Sequence, residues 1–426
     1  MNKKLGNIFK GDKVIWMVFF FLCMVSVIEV FSASSELTYK SGSYLAPIFK
    51  HIGILFVGVF FMVVTLNIKC KYFKIVTPLL LIVSLLSLLF VLFFGQSTNG
   101  ANRWISLFGI QFQPSEIAKG ALILATAQIL SATQTEHGAD RAAFKYILLV
   151  CAFIVPFILV ENLSTAALLC FVIFLMMIIG RVPMSQLGKL MGTVMLFAVV
   201  GFGAIMLLGT DRAKEQTANV STEVVKKQEK QEGAAFKILH RMDTWKARID
   251  KFTDDTPVPP EKVDLDKDAQ VAYANIAIAS SNVLGKGPGN SVERDFLSQA
   301  FSDFIYAIII EEMGLIGAFI VAFLYVILLF RTGRIAKQCA NSFPAFLAMG
   351  LALLLVTQAM FNMGVAVGWL PVTGQPLPLV SKGGTSSIIN CVYIGVILSI
   401  SRSAKKRDSE PAIGLATNNE KINSNN

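Results

Sequence analysis

An acid standing where a polar loop enters a long apolar helix can meet a substrate with a wet head and a greasy tail. Asp303 is such a residue, within the stretch GKGPGNSVERDFLSQAFSDFIYAIIIEEMG (285–314). Ionisable groups at membrane depth are costly, which makes them functional candidates. The competing reading is that Asp303 caps the following helix, a position Asp favours. Other polar residues gather at helix mouths: Arg103 and Trp104, Glu116 and Lys119, Glu161, and Ser381-Lys382-Gly383-Gly384. Glu116 and Lys119 share a helix face, either neutralising each other or presenting charge to an anion. Arg103 could instead snorkel toward a phospholipid head.

Familiar soluble-enzyme motifs are missing. Gly285, Gly287 and Gly289 are not followed by Gly-Lys-Ser/Thr, so they form no Walker loop and read as a turn before a helix. The triplet Asp264, Asp266, Asp268 starts like an EF-hand, but Ala269 and Asn275 stand where Gly and Glu are needed, which rejects calcium there. The 3 His are scattered and offer neither a zinc site nor a Ser-His-Asp triad. Cys23, Cys151, Cys170 and Cys391 lie in apolar runs and Cys70 and Cys339 at helix ends, so free thiols are expected.

The elements that must position these groups are membrane helices. The chain is 54% hydrophobic and 15% charged, with 33 Phe. A helix needs roughly 20 apolar residues to span the hydrocarbon core. Ten runs qualify, at approximately 14–35, 45–66, 75–95, 114–132, 145–160, 163–180, 189–209, 303–330, 343–367 and 385–401. They are too long for barrel strands, so the expected fold is an all-α polytopic bundle. The N-terminal run ends in Ser32-Ala33-Ser34 and imitates a secretory signal, but it is long for a signal core and is read as an uncleaved first helix.

Loop charge orients the bundle. With the N-terminus inside, the inner segments collect Lys3, Lys4, Lys10, Lys13, Lys69, Lys71, Lys74, Arg141, Lys145, Arg181, Lys189, Arg331, Arg334, Lys337, Arg402, Lys405, Lys406 and Arg407. The short outer segments hold little beyond Lys40, Lys50, Arg103 and Lys382. This positive-inside bias accounts for the net charge of +10 without nucleic acid as a partner. Both termini are expected in the cytoplasm, with one transmembrane domain over 1–402 and a disordered tail over 403–426. The large loop, about 210–302, falls outside, away from ATP. It carries a basic aromatic segment with Arg241, Trp245 and Arg248, then a weakly amphipathic helix over Ala269–Leu284 suited to the membrane interface.

NGANRWISLFGIQFQPSEIAK (99–119) resembles the G-A-x-R-W and P-S-E-x-x-K segment of the SEDS family (shape, elongation, division, sporulation). The 285–314 stretch is similar to that family's large-loop exit, and PLPLVSKGGTSS (376–387) to its last outer loop. Gly289-Asn290-Ser291 resembles the division (FtsW) branch more than the elongation (RodA) branch. Three departures stand out. Glu161-Asn162 replace Pro-Asp, Lys382 replaces Tyr in V-S-Y-G-G, and Phe301-Ser302 replace a His-Thr pair before the acid.

The resemblance implies a peptidoglycan glycosyltransferase polymerising lipid II at the outer face of a bacterial cytoplasmic membrane, at the division septum. It implies Asp303 as general base in an inverting displacement. Arg103, Lys119, Arg241, Arg248 and Lys382 are candidates for the pyrophosphates of the polyprenyl-linked glycan, with Glu116 orienting Lys119. A divalent cation could assist, although no dedicated metal cage is visible. No Ser/Lys acyl-transfer site is present, so a class B penicillin-binding transpeptidase and other division proteins are implied as partners. A lipid II flippase, or a non-enzymatic division scaffold, would use similar helices and loops.

Overall fold

The computed structural model describes residues 10–33, 46–94, 96–98, 101–107, 110–208, 265–297 and 300–409. Helices stand at all ten expected places. They are α1 (Lys13–Ser32), α2 (Ala46–Asn67), α3 (Cys70–Phe94), α4 (Pro114–Ala132), α5 (Arg141–Glu161), α6 (Leu163–Ile179) and α7 (Met184–Leu208). After the large loop come α8 (Leu265–Ala279), α9 (Ile305–Gln338), α10 (Ser342–Ala366) and α11 (Thr385–Ser409). Eight of these are long and apolar enough to cross a membrane. Of the expected spans, α6 is short at 17 residues, and α4, which carries Glu116 and Lys119, is buried on most of its surface. The chain is a multi-pass helical membrane protein.

Local chemistry explains several boundaries. The Asp12 carboxylate accepts from the amides of Val14 (2.9 Å) and Ile15 (3.2 Å) and starts α1. The same carboxylate pairs with Arg331 of α9 at 2.7 Å, while the Asp12 amide donates to Ser401 of α11. These contacts gather α1, α9 and α11 at one face of the bundle. Helices α2 and α11 lie backbone against backbone, because Gly58 sits on Cys391 and Gly395 on the Met62 main chain. Such small-residue contacts allow close approach where lipid supplies no hydrophobic drive.

Several expectations need correction. Helix α11 runs to Ser409, so the tail cannot begin at 403; Ala404 is buried against the bundle, and Lys405, Lys406 and Arg407 are good helix formers. The helix expected over Ala269–Leu284 spans Leu265–Ala279 instead. It stops where the Ser280 and Ser281 hydroxyls bond back to Ala277 and Ile278. The segment after α3 forms a small antiparallel sheet, β1 (Gln96–Thr98), β2 (Ala101–Leu107) and β3 (Ile110–Phe112). A second hairpin joins β4 (Gln134–Thr135) to β5 (Gly138–Ala139). All six cysteines are free.

Helix α9 is broken at Gly314, whose φ of 69° and ψ of −173° are not helical. The glycine-rich segment 283–289 lies across that break. Lys286 and Gly287 amides donate to the carbonyls of Glu311 and Glu312, and the Ile316 amide donates to Val283. A Cβ on Gly285 would collide with the Glu312 carbonyl, and one on Gly314 with that of Val283. Both positions require glycine.

Candidate active site

The turn before α9 carries Asp303 half-buried at the helix entrance. Phe304, not Asp303, is the N-cap, and its side chain makes no capping hydrogen bond. The Asp303 carboxylate instead accepts from the Ser302 hydroxyl at 3.0 Å. Asp303 thus stands one residue before the N-cap position.

Three successive carbonyls of the turn are held from outside it. Phe301 O accepts from the Lys382 amide (2.9 Å) and Ser302 O from the Ser381 hydroxyl (2.6 Å). Asp303 O accepts from Asn362 Nδ2 of α10 (2.8 Å). The Ser381-Lys382-Gly383-Gly384 loop and Asp303 thus share one mouth. Lys382 also lays its ammonium 5.1 Å from the Phe301 ring centroid. Burial, and then the charge of Lys50, hold that ammonium below the usual lysine range. Gly384 has φ of 54° and helps turn the loop into α11.

The loop is braced from below. Ser26 of α1 donates to Val380 O at 2.7 Å, which spends its only proton. His51 Nε2, 2.8 Å from the Ser26 oxygen, is therefore the donor in that contact. Tyr325 of α9 donates to Pro378 O.

Glu116 and Lys119 form a 2.8 Å ion pair, with Lys119 only 1% exposed. The ammonium also donates to Gln358 Oε1 at 2.9 Å, and Gln358 Nε2 donates to Pro376 O at 3.0 Å. One turn along α10, Asn362 Nδ2 donates to Gln375 O at 2.8 Å as well as to Asp303 O. Gln375 Nε2 reaches Thr165 of α6 at 2.7 Å. A polar web thus runs from α4 through α10 to the mouth. Glu161 is buried at the end of α5, and Asn162 caps α6 by accepting from Ser164 and Thr165 amides. Arg103 lies on β2, whereas Arg241 and Arg248 fall outside the described residues.

Sequence reasoning missed Gln358, Asn362 and a second polar cluster. The Glu311 carboxylate accepts from Lys286 Nζ (2.6 Å), the Val292 amide (3.1 Å) and the Ser291 hydroxyl. Glu312 accepts from the amides of Gly289 (2.9 Å) and Ser291 (3.2 Å) and from the Ser32 hydroxyl. The donors a phosphate loop would offer to a nucleotide are used here by the chain's own carboxylates. The signals were present: Gln358 and Asn362 four apart, and adjacent Glu311-Glu312, in apolar helices.

This arrangement defines a class: a polytopic membrane protein with a carboxylate and an ammonium at one helix mouth, above an apolar bundle. The family model described as cell cycle protein, covering FtsW, RodA and SpoVE, matches residues 12–406. The chain belongs to that family. It is 32% identical over 391 residues to a probable peptidoglycan glycosyltransferase FtsW of Hahella chejuensis, covering 90% of this chain and 88% of that one. It is 28% identical over 398 residues to the peptidoglycan glycosyltransferase MrdB of Escherichia coli K12, covering 91% and 93%. The fold matches crystalline RodA of Thermus thermophilus with a TM-score of 0.60 at 22% identity, covering 93% and 99%. A chain from a structure reported as a peptidoglycan synthase complex coordinating polymerization and crosslinking gives 0.66 at 22% identity, covering 92% and 98%.

Proposed function

We propose that this protein is a peptidoglycan glycosyltransferase that joins lipid II units into glycan strands, with Asp303 as general base. One observation carries the assignment of the base: Asp303 is clamped through its main chain at a helix mouth, one residue before the N-cap of the helix. In the reaction, the acceptor sugar hydroxyl attacks the anomeric carbon of the donor. Asp303 takes the hydroxyl proton, the bond from that carbon to the pyrophosphate oxygen breaks, and polyprenyl pyrophosphate leaves. A positioned base contributes about 10²–10⁴-fold.

The leaving pyrophosphate needs a cation, and Lys382 stands at the same mouth. A partly desolvated ammonium binds an anion more strongly than a hydrated one. Arg103, Arg241 and Arg248 remain proposed phosphate contacts, with guanidinium geometry suited to bidentate binding. Glu116 and Lys119 are assigned a supporting role through Gln358, because their charges are spent on each other behind the mouth. Glu161 is assigned to the same inner wall. Any divalent cation is proposed to arrive with the pyrophosphate; among the described residues no three candidate ligands stand together. Apolar helix surfaces hold the polyprenol tails.

The proposal places the mouth on the outer face of the cytoplasmic membrane, both termini inside, and the protein at the division septum. The similarity to FtsW-named relatives and the Gly289-Asn290-Ser291 sequence support the division branch. A class B penicillin-binding transpeptidase is the proposed partner, supported by the fold match to a chain from a synthase complex. The deciding experiment is glycan-chain formation from lipid II by the purified protein. Ladders of polymer are expected; translocation without polymer would mark a flippase, and neither activity a scaffold.

A further inference from the structure

We propose that Asn362 is the positioning residue of Asp303, and that its side-chain amide sets the direction of the base. This rests on the proposed role of Asp303 and deepens it. The two carbonyls before Asp303 O are held by the 381–382 segment, itself a loop. Asp303 O alone of the three is held by a side chain from a membrane helix. Asn362 therefore ties the base to a rigid element, and sites on rigid elements keep their geometry better than sites on loops.

The orientation of the Asn362 amide is fixed by its neighbours. Nδ2 faces two carbonyl oxygens, Asp303 O and Gln375 O, both at 2.8 Å. Flipping the amide would set an oxygen against two oxygens. Asn362 is buried, and its Oδ1 has no hydrogen-bond partner among the described residues. Its donor atom thus makes all the described side-chain hydrogen bonds, and both go to the segments that build the mouth. Joining Asp303 O to Gln375 O closes the distance between the turn and the start of the loop carrying Lys382. The same atom thereby sets base and cation relative to each other.

No other residue type of this size can replace it. Leu matches the shape and offers no donor. Asp matches the shape closely and offers at most one proton for two carbonyls.

The test is a kinetic comparison of Asn362→Leu, Asn362→Asp, Asp303→Asn and the Asp303→Asn/Asn362→Leu double variant, as full chains polymerising lipid II. Loss of alignment costs rate rather than binding, so kcat of Asn362→Leu should fall about 10–100-fold. KM should stay within about threefold of the parent. In the Asp303→Asn background, Asn362→Leu should cost nothing further, because there is no base left to align. Asn362→Asp gives the same rate-only loss in a side chain of unchanged shape, and decides the matter should the Leu variant fail to fold. Parent-like kcat in both Asn362 variants, a loss confined to KM, or a full additional loss in the double variant each overturns the inference while leaving the base in place. Full activity of Asp303→Asn overturns the base itself and the inference with it.

Discussion

Lys382 rests its ammonium 5.1 Å from the centre of the Phe301 ring and donates its amide to the Phe301 carbonyl at 2.9 Å. The two residues, far apart in sequence, thus meet through both side chain and main chain. A cation over an aromatic face gains about 0.5–2 kcal/mol, so the two side chains are expected to act as a pair. Phe301→Leu and Lys382→Met should therefore couple in a double-mutant cycle of melting temperature, the double variant losing less than the sum of the singles. Strict additivity would show that the contact is incidental.

The depressed proton affinity of Lys382 has a direction in pH. Its charged form exists below its pKa, which burial and then Lys50 hold under the ordinary lysine value. Binding of the pyrophosphate-bearing substrate should weaken as pH rises through that lowered value, sooner than an unperturbed lysine would allow. Lys382→Met should raise KM and abolish this alkaline limb, whereas Lys382→Arg should move it upward. A limb unchanged in both variants would assign it to another group.

Asp303→Asn should lower polymerisation by roughly 100-fold or more while leaving the fold intact. The main-chain clamp to Asn362, Ser381 and Lys382 is independent of the carboxylate, so melting should shift little. Equal glycan yield from the variant would make Asp303 structural.

The buried Glu116–Lys119 pair predicts a stability signature. Lys119→Gln leaves Glu116 buried without its cation, which costs about 3–5 kcal/mol. Changing both to Gln removes the lone charge, and most of the stability and activity should return. A double variant that is stable but as inactive as Lys119→Gln would show instead that the ammonium reaches the pyrophosphate.

Topology is checked by labelling. A cysteine replacing Ser221, in a chain without its native cysteines, should react with a membrane-impermeant thiol reagent on intact spheroplasts, as the positive-inside bias requires. Reaction only after permeabilisation would invert the protein.

The helices were legible because apolar runs of spanning length have few alternatives in lipid. The break at Gly314 was not, since glycine inside an apolar run does not announce a kink until the segment crossing it is known. Asp303, Ser381 and Lys382 were chosen as residues at helix mouths and do meet at one. Gln358, Asn362, Glu311 and Glu312 were passed over because they lie inside helices. Their partners are mostly main-chain amides and carbonyls from distant segments, which residue type does not encode. The i, i+3 spacing of Glu116 and Lys119 leaves both neutralisation and anion binding open, because spacing shows a helix face but not which neighbour covers it.

The bonds between 283–289 and the broken middle of α9 close a ring of chain around the Asp303 turn. Tension applied upstream of α8 acts first on α8, whose Ala274 packs in one cluster with Leu297, Ala300 and Phe304 beside the aspartate, and only then on the seam at Gly285 and Gly314. Along the covalent path from 283 to 303 the seam works as a strain relief, like the clamp that protects a cable's solder joint. A proteolytic cut within 209–264 should therefore leave the turn in register. A partner that shifts α8, or grips the ring itself, can therefore move Asp303 while the seam stays fastened.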